Sequence, residues 1–478
     1  MKDIVSFIAS LTAIVGAHHV RQSAEDMAAS LIDVRRSYIG EALCVVLPGS
    51  TEEVAAVVKC CAAWQVPIIP LGGNTGLVGG AAAQTAVPGV LLGLGRMNRV
   101  RSISPIDNTI TVDAGCVLAD IQQIAASVDR LFPLSLSAEG SCQIGGNIAT
   151  NAGGTAALRY GVMRELVLGL EVVLANGEIL NGLLRLRKDN TGYDLRHLFI
   201  GSEGTLGIIT GAVLKLFPAH KSTATAMLAV DDVDKALGVL ALMRSAFGER
   251  VTSFEIIGAS YMEVVLRNVG GTRAPFDHRP SWNLLVEICD SHPEAQLMGP
   301  FEQALQQAFE AELISDAVVA QNQSQAQALW HLRHAVSEAI RYAGPNMSHD
   351  SSVPLDRQNA FAVKTDASIR ARFPDSEVLM VGHMGDGNMH VVVLFKPDRF
   401  ASKDEYKAAS HEIDLLIDDV VVELEGSITA EHGIGLSYRE RLLRTANPAE
   451  IALMRGIKSS FDPHGLMNPG KIFEMPNS

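Results

Sequence analysis

The spacing of apolar and polar residues changes along the chain, and each spacing predicts an element. Ile4, Ile8, Leu11 and Val15 recur at helical intervals, so residues 4–15 are expected to form an amphipathic helix. Ser50 and Glu53 have capping-box spacing ahead of Val54, Val57, Val58 and Cys61, which starts a second helix. A short strand follows at 66–70. Residues 109–113 alternate, and the runs 168–174 and 178–180 flank Asn176-Gly177, a hairpin signal. After Pro218 the character shifts. Strands at 221–230 and 283–289 then mix with helices at 233–247, 300–313 and 324–342, an α+β arrangement. From about Gly426 a short terminal segment closes on Asn468-Pro-Gly-Lys471.

At 478 residues, 47% of them hydrophobic, the chain exceeds one ordinary core and is expected to form two or three domains. Asp3 and Ser10 interrupt the first apolar stretch, which argues against an export signal and for a cytoplasmic protein. No stretch is long enough to span a bilayer, so no integral membrane segment is expected. A net charge of −14 with no lysine/arginine run argues against nucleic acid or anionic lipid as the main partner. Six cysteines without a C-x-x-C pair encode neither an iron–sulfur cluster nor a disulfide framework.

Glycine supplies the first chemical signal. The segments Gly72–Gly80 and Gly140–Gly154 can each converge backbone N–H groups on a phosphate, with Asn74, Thr75, Ser141 and Asn147 adding side-chain hydrogen bonds. Two such loops suit a dinucleotide, yet neither has the strand–G-x-G-x-x-G–helix form of a nicotinamide domain. A third, Gly201–Gly207, leads into a strand at 208–216. Gly465 to Lys471 imitates a Walker A loop, but Ile472 stands where the Mg²⁺-binding hydroxyl belongs, so no nucleoside-triphosphate site is expected.

Histidine supplies the second. His383-Met-Gly-Asp-Gly-Asn-Met-His390 and Glu431-His432 offer three ligands for a divalent metal, His383, His390 and Glu431, with an open position and a base beside it. The two histidines, an odd number apart, can share an ion only across a reversal, which Gly385 to Asn388 can supply. An alcohol proton of pKa ~16 lies beyond a histidine near 6.5, and metal coordination toward ~7 removes roughly 12 kcal/mol of that mismatch. His432 is then the expected catalytic base, Asn388 a nearby donor, and zinc the first choice of metal, ahead of Mn²⁺ or Fe²⁺. On the helix at 324–342, with Leu329, Leu332, Val336 and Ile340 facing the core, Arg333 and Ser337 fall four apart, and the arginine can grip a substrate carboxylate.

Taken in order, these motifs resemble the vanillyl-alcohol-oxidase-type flavoproteins, and within them the FAD-linked D-2-hydroxyacid dehydrogenases that act on D-lactate or D-2-hydroxyglutarate. The resemblance covers nearly the whole chain. It implies an FAD-binding domain at 1–220, built of two subdomains, an α+β cap at 221–425, and a segment at 426–478 returning to the flavin. FAD would be held by Pro70, Gly72, Gly73, Asn74, Thr75, Gly76, Leu77, Gly79, Gly140, Ser141, Cys142, Gly145, Gly146, Asn147, Thr150, Asn151, Gly153, Gly154, Glu203, Gly207, Ile208, Ile209 and Asn468. It would be non-covalent, because Asn74 stands near where covalent members carry a tethered histidine. The implied reaction passes hydride from a D-2-hydroxyacid to the flavin N5, leaving a 2-oxo acid. Electrons would leave to an electron-transfer flavoprotein or quinone-linked carrier rather than NAD, and a homodimer is compatible. One departure stands out. Where the family often has a substrate-touching lysine, this chain has Ser348, followed by His349-Asp350, which weighs against D-2-hydroxyglutarate and keeps D-lactate open. Alternatives are a flavin subunit of a glycolate-oxidising assembly, an alkylglycerone-phosphate-synthase-like transferase, and a flavin-free metallohydrolase.

Overall fold

The computed structural model describes residues 3–474, which cluster into two units. The first comprises the chain up to Gly153, Gly161–Pro218 and the residues from Glu431 onward; the second comprises Gly154–Tyr160 and Ala219–Ala430.

In the first unit, helix Ile4–Val15 starts where Asp3 accepts the Ser6 N–H and buries Phe7, Ile8, Leu11 and Val15. Ile4 stays outside that face, 46% exposed. Ser50 caps helix Thr51–Trp64 by accepting the Glu53 N–H, while the Glu53 carboxylate reaches back to the Gly49 N–H. This helix connects Ala42–Val46 to Ile68–Leu71, both parallel to Gly89–Gly93 between them, and Val20–Arg21 completes that sheet. A second, antiparallel sheet runs Val100–Ser104, Thr109–Asp113, Ile208–Lys215, Val167–Val173, Ile179–Gly182. Residues 109–113 are buried throughout, so their alternation separates two packed faces, not core from solvent. The buried Glu171 accepts from Thr51, Thr210 and Arg101, which ties helix to sheet. Burial works to raise its pKa, but these donors outweigh that and hold it below the ordinary value.

The second unit is one seven-stranded antiparallel sheet, ordered Asp316–Val319, Ser222–Val230, Trp282–Asp290, Val251–Gly258, Glu377–His383, Asn388–Leu394, Asn346–Ser352. Alternate side chains enter two cores: Ala226, Leu228 and Val230 pack with helices Val233–Phe247 and Lys403–Glu423, whereas Met227, Ala229 and Ile257 pack with Ala259–Asn268 and Gln323–His334. The expected helix at 324–342 is two, Gln323–His334 and Val336–Arg341, broken at Ala335. Among the described residues no helix is long and apolar enough to cross a membrane.

Candidate active site

In the first unit the glycine loop after strand Ile68–Leu71, the one before Ile208–Lys215 and the segment around helix Ile144–Ala149 meet around one cavity. Its lining encloses about 960 Å³, including space open to solvent, which is within the range of small-molecule sites. Of the residues expected at FAD, Pro70, Gly72, Gly73, Asn74, Thr75, Gly76, Cys142, Gly145, Gly146, Asn147, Thr150, Glu203, Gly207, Ile208 and Ile209 line it. Leu77, Gly79, Gly140, Ser141, Asn151, Gly153, Gly154 and Asn468 do not; Val78, Gly80, Gln143 and Gly204 join instead. His432 lines the same cavity.

Close backbone approach explains the glycines. A Cβ on Gly73 would stand 2.2 Å from the Ser141 carbonyl oxygen, so the first loop can lie on the second only without a side chain. Gly76 and Gly146, by contrast, face open space, and Gln143 Oε1 and Asn147 Oδ1 are buried without a hydrogen-bond partner. A cradle of bare backbone with spare buried acceptors fits a polar dinucleotide.

Several expected contacts serve the walls. Asn74 donates to the carbonyls of Ala29 and Ile32. Glu203 accepts the N–H groups of Ile434 and Gly435, both at 2.8 Å, and so fixes the loop just after His432. Burial pushes its pKa up, against the pull of those two N–H groups and of Lys471. Asn468 donates to the carbonyls of Gly80 and Glu203 from behind the lining. Lys471, donating to Ala82, is pushed down to about 8 by burial.

In the second unit, register brings chemistry together. His383 closes strand Glu377–His383, residues 384–386 make a single 3-10 turn, and Gly387 at φ +88° turns the chain into Asn388–Leu394. His383 and His390 thus sit on one hairpin, ring centroids 5.7 Å apart and ligand atoms within 4.8 Å. His383 stands opposite Glu255, and His390 opposite Asp350. The His383 Nδ1 is 2.8 Å from Glu255 and the His390 Nδ1 is 3.6 Å from Asp350. An imidazole pair with a buried carboxylate behind each ring is a donor set suited to a divalent ion.

Arg333 enters this face from helix Gln323–His334, where it is buried and donates to Glu255 through Nε at 2.7 Å. Glu255 is 1% exposed; burial works to raise its pKa, yet His383 and Arg333 hold it below the ordinary value. Ser337 lies beyond the break at Ala335 and is exposed, so the expected continuous i,i+4 pair is absent. Asn388 donates to Asp350 and to the Ser351 carbonyl, and its buried Oδ1 has no partner. It therefore presents an acceptor rather than the expected donor. His349 faces the other side of the sheet, 3.5 Å from Asp414 and Asp418.

Known proteins agree with this architecture. Residues 42–182 match the FAD binding domain family, and residues 219–472 match FAD linked oxidases, C-terminal domain. The chain is 40% identical over 469 residues to D-2-hydroxyglutarate dehydrogenase of Xanthomonas citri pv. viticola, covering 98% of this chain and 97% of that one. The chain belongs to the FAD-linked oxidases. A mitochondrial D-2-hydroxyglutarate dehydrogenase of Arabidopsis thaliana is 35% identical over 97% of the chain and 80% of its own length. Among solved structures, p-cresol methylhydroxylase superposes with a TM-score of 0.77 at 17% identity, covering 99% of this chain and 97% of that one. Alkyldihydroxyacetonephosphate synthase superposes at 0.75, also at 17% identity, over 97% of this chain and 84% of that one. The family matches and the relatives make this protein an FAD-dependent oxidoreductase of the D-2-hydroxyacid dehydrogenase type, and the solved structures share its vanillyl-alcohol-oxidase-type fold. Glu255 was not legible as a site residue, although a lone carboxylate in the apolar run Phe254–Ile257 was a signal.

Proposed function

We propose that the protein oxidises a D-2-hydroxyacid to the 2-oxo acid, with D-2-hydroxyglutarate, the acid in its relatives' names, as the first substrate to test and D-lactate as the second. His383, His390 and Glu431 hold a divalent metal, zinc first, and electrons leave to an acceptor other than NAD. When bound, FAD supplies the two-electron sink and the metal supplies Lewis acidity toward the substrate hydroxyl.

The chain's own residues do the rest. His432 takes the hydroxyl proton on its ring nitrogen. Arg333 has its Nε turned to Glu255 and its Nη2 beside His383, which leaves Nη1 as the donor for the substrate carboxylate. Glu431 as third ligand is supported by its chain neighbour: the Ala430 N–H donates to Asp350 at 3.1 Å, the carboxylate beside His390. The observation that carries the reading is that His432 lines the cavity formed by the glycine loops, so a base adjoins the flavin cradle.

The test is anaerobic mixing of the purified yellow protein with D-2-hydroxyglutarate, D-lactate, glycolate and the L-enantiomers. Bleaching of the flavin band by a D-2-hydroxyacid is expected, and no bleaching across the panel refutes the proposal.

A further inference from the structure

Glu255 is the one ionisable residue of strand Val251–Gly258, and its neighbours Phe254, Ile256 and Ile257 are at most 1% exposed. A carboxylate in such a place persists only if its partners need it. It has two. Oε1 lies 2.8 Å from His383 Nδ1 and Oε2 lies 2.7 Å from Arg333 Nε. The Arg333 Nη2 in turn stands 3.5 Å from both ring nitrogens of His383, so a full positive charge lies against the imidazole.

We propose that Glu255 is a positioning residue for the metal: it accepts the His383 Nδ1–H, so that Nε2 is the atom offered to the ion, and it cancels the charge of Arg333 beside that ion. The inference rests on the ligand reading proposed above. A neutral histidine binds metal through one nitrogen, and an acceptor on the other selects which. The guanidinium has the opposite influence, since an unneutralised cation at this range repels a dication in a dry site. One carboxylate answers both demands, and Arg333 remains available to an anionic substrate without expelling the metal.

The experiment measures Zn²⁺ affinity of the full-length, FAD-loaded, chelator-stripped protein by competition with a chromogenic chelator. Glu255→Gln keeps a carbonyl to accept the Nδ1–H but removes the charge, and should weaken Zn²⁺ by about 10- to 100-fold. Arg333→Met removes the repelling cation, and the double variant E255Q/R333M should recover most of the loss. If Glu255→Gln does not fold, Arg333→Met compared with the double variant reads the same charge, and at least a tenfold tighter site in Arg333→Met is expected. Equal Zn²⁺ affinity in wild type and Glu255→Gln, or in that second pair, overturns the inference and leaves the ligand reading intact. A wild type that takes up no Zn²⁺ overturns the ligand reading, and the inference with it.

Discussion

The two units build their halves of the chemistry from different materials. The first uses absence: glycines that let one backbone lie on another and leave a cavity walled by peptide groups. The second uses charge: Glu255, Arg333, His383 and Asp350, each under a tenth exposed, crowded on one face of a sheet. A cradle made by shape should tolerate changes of charge and fail on added volume, and a site made of buried charge should do the reverse.

Metal removal probes the second unit most sharply. Chelation should lower turnover by about 10³-fold or more, with recovery on adding Zn²⁺ or Mn²⁺, while the flavin absorbance stays in place. Loss of flavin together with metal would show that the two materials are not separable. Next comes His432→Ala, where kcat should fall by about 10²- to 10³-fold with FAD still bound, as read by stopped-flow bleaching.

Two glycines sharpen the other side. Gly73→Ala puts a methyl into the Ser141 carbonyl and should destabilise the fold by about 1–3 kcal/mol in thermal unfolding. Gly146→Ala meets nothing within 4 Å, so the melting temperature of the apoprotein should hold while FAD affinity falls by about tenfold. Equal effects from both would dissolve the distinction between packing and cradle.

The smallest effect is on acid stability. His220, hydrogen-bonded to Tyr160 at 2.7 Å, is pushed down to about 4, first by burial and then by Arg159. Between about 4 and the ordinary 6.5 the unfolded chain binds a proton that the native one refuses, so stability is lost as pH falls through that window. Melting of His220→Gln should show a shallower decline from pH 6.5 to 4 than wild type.

The sequence was most informative where local chemistry decides. Ser50 and Glu53 place a helix start because caps act within one turn. Gly387 and its neighbours announce the reversal between His383 and His390 because positive φ is a property of one residue. Partners set by long-range register stayed hidden. Glu255 and His383 are 128 residues apart, and nothing local says they face each other. Strand Asn346–Ser352 is polar in six of its seven positions yet largely buried, so composition argued against it. The break at Ala335 left no trace, since alanine is the best helix former.

Among the described residues that polar strand is also the last in its sheet, laddered to Asn388–Leu394, with a single bridge from Ser352 to Ser427 besides. Adjacent residues there serve opposite layers: Asp350 backs His390, and His349 meets Asp414 and Asp418. A slip of one position would carry Asp350 into the layer of Asp414 and Asp418 or His349 into the layer of His390, and either way would take both residues from their counterparts. Mispairing at this border is therefore penalised twice, and a hydrophilic outer rim gives a second chain little to adhere to.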